Sequence, residues 1–150
     1  MCLIVDANQA ALIFGNPGGA GAPAAFAPIL RWLGADGCIV HGGLLSEELS
    51  RVASVRRYLV QLDRAGRARR IAGDLIEREE DEIRRLGGTE SNDPHVIALA
   101  RASGARTLCS ADQLLHADFK NPRLVGKPRG AVYQLARHRR LLRHTSSCGR

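Results

Sequence analysis

The sequence predicts a three-layer α/β/α protein built on a central, mainly parallel sheet, and three observations lead there. Short, uninterrupted apolar runs recur along the chain and give way to acidic or small polar residues, the pattern of strands covered on both faces. Helical periodicities bounded by Gly, Pro or small polar residues lie between those runs. At 150 residues the chain has the size of one domain with one core.

Taken in order, the first strand is the run Cys2 to Val5, which stops at Asp6. A helix-like stretch follows and leads into Gly15 to Pro23, which reads as a connector. It lacks the Gly-Lys-Ser/Thr of a phosphate-binding loop and follows a helix, not a strand. A helix is predicted from Ala24 to Leu33, a strand from Cys38 to Val40, and a long helix from Ser46 to about Ala65. Two more helices span Asp74 to Leu86 and Asp93 to Ser103, and a strand at Thr107 to Cys109 precedes Ser110 and Asp112. The Arg-rich stretch from Arg51 to Arg70 and the acidic stretch from Asp74 to Glu82 read as solvated helix faces. Beyond Pro122, Ala131 to Gln134 fits a last edge strand and Ala136 to His144 a short basic helix. The chain thus reads as a single domain over 1–144 with a flexible tail at 145–150.

Composition narrows the function classes. Apolar residues at 45% and charged residues at 25% are ordinary for a globular chain and exclude wholesale disorder. The sequence contains no apolar run of membrane-spanning length and no N-terminal secretory pattern, so a soluble, cytoplasmic protein with no membrane partner is expected. The four cysteines are scattered and form no zinc spacing; Cys2, Cys38 and Cys109 lie in short apolar runs and read as small buried hydrophobes in a reducing compartment. The five histidines form no paired spacing either, which argues against a His-ligated metal. The net charge of +7 is divided unevenly: 13 basic and 15 acidic residues precede Phe119, while 9 basic and no acidic residues follow from there. Of the 22 basic residues 20 are Arg, whose planar fork pairs with phosphate, so a polyanionic partner is expected.

The carboxylates give the sharpest clue. Glu48 falls on the apolar stripe of Leu45, Val52, Val55, Leu59 and Leu62 and is predicted to face inward. Glu47 lies about 100 degrees away around the helix, where it can pair with Arg51. Asp93 shares a face with Val96, Ile97 and Ala100. Ser46 and Asp93 also fit as helix N-caps, a purely structural use. Asp6 and Asp112 each follow an apolar strand, and open parallel sheets bind ligands beyond the carboxyl ends of their strands. Four acids brought together there would repel one another, so such a cluster points to a bound cation, and oxygen ligands select Mg²⁺ or Mn²⁺.

Asp6-Ala7-Asn8 after the first strand, Glu48-Leu49 near a helix start, Asp93 with His95-Val96-Ile97-Ala98-Leu99-Ala100, and Ser110-Ala111-Asp112 form an ordered set. In this order and spacing, over roughly residues 2 to 125, the chain resembles the PIN domain family of metal-dependent ribonucleases. The resemblance implies a PIN-like fold and an acidic pocket of Asp6, Glu48, Asp93 and Asp112, with the metal on Asp6, Asp93 and Asp112. It implies that Asn8 supports the pocket and, through Leu115-His116-Ala117-Asp118-Phe119, makes Asp118 a candidate additional acid. The chain departs from the family pattern at His41-Gly42-Gly43, where a Ser or Thr commonly precedes the Glu-bearing helix, and this leaves Glu48 against Glu47 open.

The implied activity is metal-dependent hydrolysis of RNA phosphodiester bonds, with Mg²⁺ or Mn²⁺ activating water and stabilising charge on the phosphate. Arg137, Arg139, Arg140 and Arg143 would hold the RNA backbone. The resemblance leaves open an antitoxin protein as partner, as for the toxin of a toxin-antitoxin pair, and a homodimer. Two rivals remain. A non-catalytic or regulatory RNA-binding module would bind through the Arg tail without cleavage. A phosphoryl-transfer protein using Asp6 as nucleophile normally wants a second Asp two residues on, where this chain has Asn8.

Overall fold

A computed structural model describes residues 2–15 and 21–142. Among these residues five strands form one sheet: β1 (Cys2–Val5), β2 (Cys38–Gly42), β3 (Ala68–Ile71), β4 (Thr107–Cys109) and β5 (Ala131–Val132). All pairings are parallel, in the order β3-β2-β1-β4-β5. Among the described residues eight α-helices cover the faces: α1 (Ala7–Phe14), α2 (Ala27–Ala35), α3 (Gly43–Ser50), α4 (Ala53–Arg64), α5 (Gly73–Arg85), α6 (Pro94–Ser103), α7 (Gln113–Lys120) and α8 (Pro122–Val125). The architecture is the three-layer α/β/α fold with a parallel sheet. Among the described residues no helix is long and apolar enough to cross a membrane.

The unbroken apolar run of β1 reflects its central place: every residue is buried, because neighbours lie on both edges and helices on both faces. The chain builds outward from β1 through β2 to β3, then returns to lay β4 on the other side of β1. The strand order therefore reverses between β1 and β4, and the crevice beyond their carboxyl ends is where a parallel sheet offers a binding site. Val5 lies opposite Cys109, and the ladder runs one residue further, with the Asp6 amide donating to the Cys109 carbonyl at 2.9 Å. That register sets Asp6 beside Ser110.

Helix α6 is the interior helix. Val96 through Ala100 are all fully buried, and it packs on α5 as well as on α3 and β2. Its start at Asp93 is thereby fixed against the rest of the core.

Three sequence expectations are corrected. The long helix over 46–65 is two helices, α3 and α4, separated at Arg51 and by Val52, which is extended (φ −96°, ψ 113°). The break lets α3 bury Leu45 and Leu49 and α4 bury Val55, Leu59 and Leu62 in different directions, while Val52 stays exposed. Ser46 is not an N-cap. It lies inside α3, and its buried hydroxyl meets Nδ1 of His41 at 2.7 Å. The Arg-rich stretch also ends in a strand: β3 pairs with β2 from Ala68 to Ile71. An edge strand needs only one ladder, so Ala-Arg-Arg-Ile suffices, and its charged residues protect the open edge.

Helices α7 and α8 and the two-residue strand β5 complete the fold; β5 occupies half of the edge strand expected over 131–134. The expected basic helix is a 3₁₀ segment, Ala136–Leu142, packed on α2. The tail at 145–150 lies outside the described residues, as do 16–20 of the glycine-rich connector.

Candidate metal centre

Asp6 ends β1 and caps α1, and its carboxylate is fully engaged. Oδ1 accepts from the Ala7 amide at 2.8 Å; Oδ2 accepts from Asn8 Nδ2 at 3.1 Å and from the Ser110 hydroxyl at 2.7 Å. Asn8 thus supports Asp6 from the same turn, as expected. Ser110 does so across the sheet from the end of β4. The Ser110 hydroxyl also accepts from the Asp112 amide at 3.1 Å, and buried His116 holds the Ser110 carbonyl through Nε2 at 2.6 Å. Asp112 in turn caps α7, with Oδ1 accepting from the Leu114 and Leu115 amides at 2.9 and 3.2 Å. Each of these two acids starts a helix after a strand, a use the helix dipole favours.

Asp93 is different. It occupies the N-cap position of α6 ahead of Pro94, yet its side chain makes no capping hydrogen bond. Pro94 brings no N–H to the first turn and is preorganised for the helix, so the turn forms without the Asp93 carboxylate. The carboxyl is held above the usual carboxylate range, first by burial and next by Asp6; Glu48 and Asp112 push the same way, and His95 opposes them. The other three acids selected from the sequence, Asp6, Glu48 and Asp112, thus all act on Asp93.

Glu48 reaches the same place from α3. Its Oε2 lies 3.2 Å from Nε2 of His95, which is 5% exposed. One donor atom each from Glu48, Asp93 and His95 lie within 4.8 Å of one another, close enough to hold a metal ion. Glu47 is exposed on the other side of α3, so the choice between the two glutamates falls to Glu48. No ion pair joins Glu47 to Arg51, the C-cap of α3, although Arg51 keeps helical dihedrals (φ −66°, ψ −26°).

The histidine spacings gave no ligand, yet His95 lies at the site with Glu48 and Asp93. Two residues along an ideal helix are about 200 degrees apart, so periodicity separates His95 from Asp93. Asp93 precedes the helix with φ −118° and ψ 53°, and this non-helical step brings both donors to one side. The informative signal was the short spacing across a helix start, not a His-to-His spacing.

Asp118 does not join the cluster. It is 3% exposed, and its two oxygens accept from the Glu90 and Ser91 amides at 3.0 and 2.9 Å. Ser91 Oγ in turn accepts from the Asp93 amide at 3.4 Å, so Asp118 anchors the loop that carries Asp93. Arg137, Arg139 and Arg140 are exposed on the 3₁₀ segment; Arg143 lies outside the described residues.

Gly42 and Gly43 shape the junction before α3. A Cβ on Gly42 would lie 2.7 Å from both the Ile71 carbonyl oxygen and Ile76 Cδ1, and Gly43 has φ +51°, a conformation that disfavours other residues. The close approach of β3 and α5 at this corner excludes a side chain at position 42.

No family model matches the chain, and no curated protein and no solved structure matches it.

Proposed function

We propose that this chain is a metal-dependent endoribonuclease of PIN-like type, hydrolysing RNA phosphodiester bonds with Mg²⁺ or Mn²⁺. The observation that carries the reading is the Asp93 carboxyl, unspent on its own helix and gathered with donors of Glu48 and His95 within 4.8 Å; burial first, and then Asp6, Glu48 and Asp112, raise it. A fold has no use for such crowding unless a cation offsets it. The donors fit one. Carboxylate oxygens suit Mg²⁺ and Mn²⁺, and the imidazole of His95 is better tolerated by Mn²⁺. Glu48, Asp93 and His95 would hold the cation; Asp6 and Asp112, which serve Asn8, Ser110 and the amides of α1 and α7, would act on it as neighbouring negative charges.

The cation would supply a polarised water and neutralise charge on the scissile phosphate. The remaining work falls to the chain. Ser110 and Asn8 lock the Asp6 carboxylate in one orientation, and His95 fixes Oε2 of Glu48. Asp118 keeps the Asp93 loop in register. Arg137, Arg139 and Arg140 face solvent and would draw the RNA backbone toward the site.

The test is cleavage of single-stranded RNA with Mn²⁺ or Mg²⁺, comparing the parent with Asp93→Asn, whose fold loses no hydrogen bond from its side chain. Cleavage is expected from the parent and is expected to vanish with the substitution and with chelator. Cleavage by Asp93→Asn at the parental rate refutes the site; binding of RNA without cleavage replaces the enzyme with an RNA-binding module.

A further inference from the structure

His95 is the one nitrogen donor at the metal centre, and it cannot leave. It stands in the first turn of α6, its ring is buried, and the five residues after it, Val96 to Ala100, are fully buried too. A side chain packed this closely does not swing out of its site. Glu48 and Asp93 are half-buried and form the open side. A cation that takes both carboxylates therefore meets the imidazole as well, because one donor atom from each of the three residues lies within 4.8 Å of the others. The spacing is that of ligands. Donors about 2.0–2.2 Å from a common ion, at angles of about 90–110°, stand roughly 2.9–3.5 Å apart, and Nε2 of His95 lies 3.2 Å from Oε2 of Glu48. Among the described residues no other histidine joins such a group.

We infer that His95 makes this centre selective for a divalent transition-metal ion such as Mn²⁺ over Mg²⁺. The inference rests on the metal centre of the proposed nuclease and names the class of ion that it takes. Mg²⁺ is small and hard, demands near-ideal octahedral oxygen geometry and sheds water reluctantly, so its usual protein shell is one or two carboxylates with several retained waters. A nitrogen fixed in that shell displaces a water and gives Mg²⁺ a poorer bond in return. Transition ions rank the other way, since imidazole suits them and carboxylate oxygens remain acceptable to them. The charges agree: Glu48 and Asp93 balance a divalent ion, and a neutral imidazole adds a ligand without adding charge. Asp6 and Asp112 attract either ion alike, so the discrimination falls to the nitrogen. Before the ion arrives, the contact between Glu48 and His95 already holds two donors in register, which leaves little reorganisation for binding.

The experiment is Mn²⁺ binding to the chelator-treated full chain, without RNA, read from the electron paramagnetic resonance of free Mn²⁺ with Mg²⁺ as competitor. The parent is expected to prefer Mn²⁺, and pulsed spectra of the bound ion to show a directly ligated ¹⁴N nucleus that becomes ¹⁵N in protein grown with ¹⁵N-histidine. His95→Gln sets an amide oxygen where Nε2 stood. It is expected to lose the nitrogen signal and to lower the preference by at least about tenfold, the lower end of what even an outer partner of a metal ligand is worth. A parent that binds the two ions equally, or whose bound Mn²⁺ shows no nitrogen, overturns the inference and leaves the nuclease reading standing. A variant that keeps either the preference or the nitrogen signal overturns it as well. A parent that binds neither ion removes the metal centre and the inference together, whereas a parent that shows the nitrogen and the preference but cleaves no RNA fails the nuclease reading alone. Should His95→Gln not fold, the ¹⁵N-histidine spectrum and the ion competition of the parent decide, since neither needs a substitution.

Discussion

Replacing Asp93 by Asn should make the metal-free protein more stable, an unusual sign for a residue in a helix N-cap position. Asn caps helices as well as Asp does, and the Asp93 side chain makes no capping bond to lose. What disappears is the cost of burying the charge and, after it, repulsion from Asp6, Glu48 and Asp112. Asp93 is partly exposed, so solvent screens each pair to about 0.2–1 kcal/mol. Against the sum stand the attraction of His95 and of the α6 dipole, the latter about 0.3–1 kcal/mol. The net gain is about 1 kcal/mol, which in a chain of this length raises Tm by about 2–4 °C. A raised carboxyl pKa favours folding below the ordinary carboxylate value, and that contribution is lost as pH rises through the raised one. The gain from Asn is therefore full at pH 7 and shrinks toward pH 4. Thermal melts followed by circular dichroism in chelator, at pH 7 and at lower pH, measure it. Mn²⁺ at about a hundred times its Kd should stabilise the parent by about 2.7 kcal/mol and the variant far less. If Asp93→Asn melts below the parent at pH 7 without metal, the acids do not crowd one another and the argument for a cation fails.

Asp118→Asn should do the opposite. Asp118 is buried and accepts two backbone amides, so exchanging one oxygen for an NH₂ leaves an amide unpaired and costs about 1–3 kcal/mol, visible as a lower Tm in the same melts. Gly42→Ala should cost about 1–3 kcal/mol, because its Cβ meets a backbone carbonyl that cannot step aside; denaturant unfolding reads this as a lower midpoint with unchanged slope. Removing Arg137, Arg139 and Arg140 together should weaken binding of single-stranded RNA and flatten its dependence on log salt by about 2, since each phosphate neutralised contributes about 0.7. An unchanged salt slope, read by fluorescence anisotropy, would place the RNA elsewhere.

The parts of the fold legible in the sequence were those whose environment is uniform. β1 and β4 are buried on both faces, so an apolar run reports them directly, and α6 shows its interior position through Val96 to Ala100. β3 was hidden because an edge strand tolerates arginines, and the α3–α4 break was hidden because neither Gly nor Pro marks it. The acids were legible for a related reason: Asp6 and Asp112 stand where strands end, which chain order alone reveals.

The amino-acid order determined the layered architecture, the single core and the acids that terminate strands and start helices, because those follow from local periodicity and from where apolar runs stop. Tertiary packing decided which acids share a field and which do not. Asp93 and Asp118 look alike as letters. One is left uncommitted because Pro94 starts its helix, and the other is consumed by two amides contributed from 27 and 28 residues away. The same packing chose Glu48 over Glu47, brought His95 to it across 47 residues, and left the Gln9 oxygen buried without a partner. Such pairings depend on distances set by the whole core, and no local pattern in the chain encodes a distance between residues that meet only after folding.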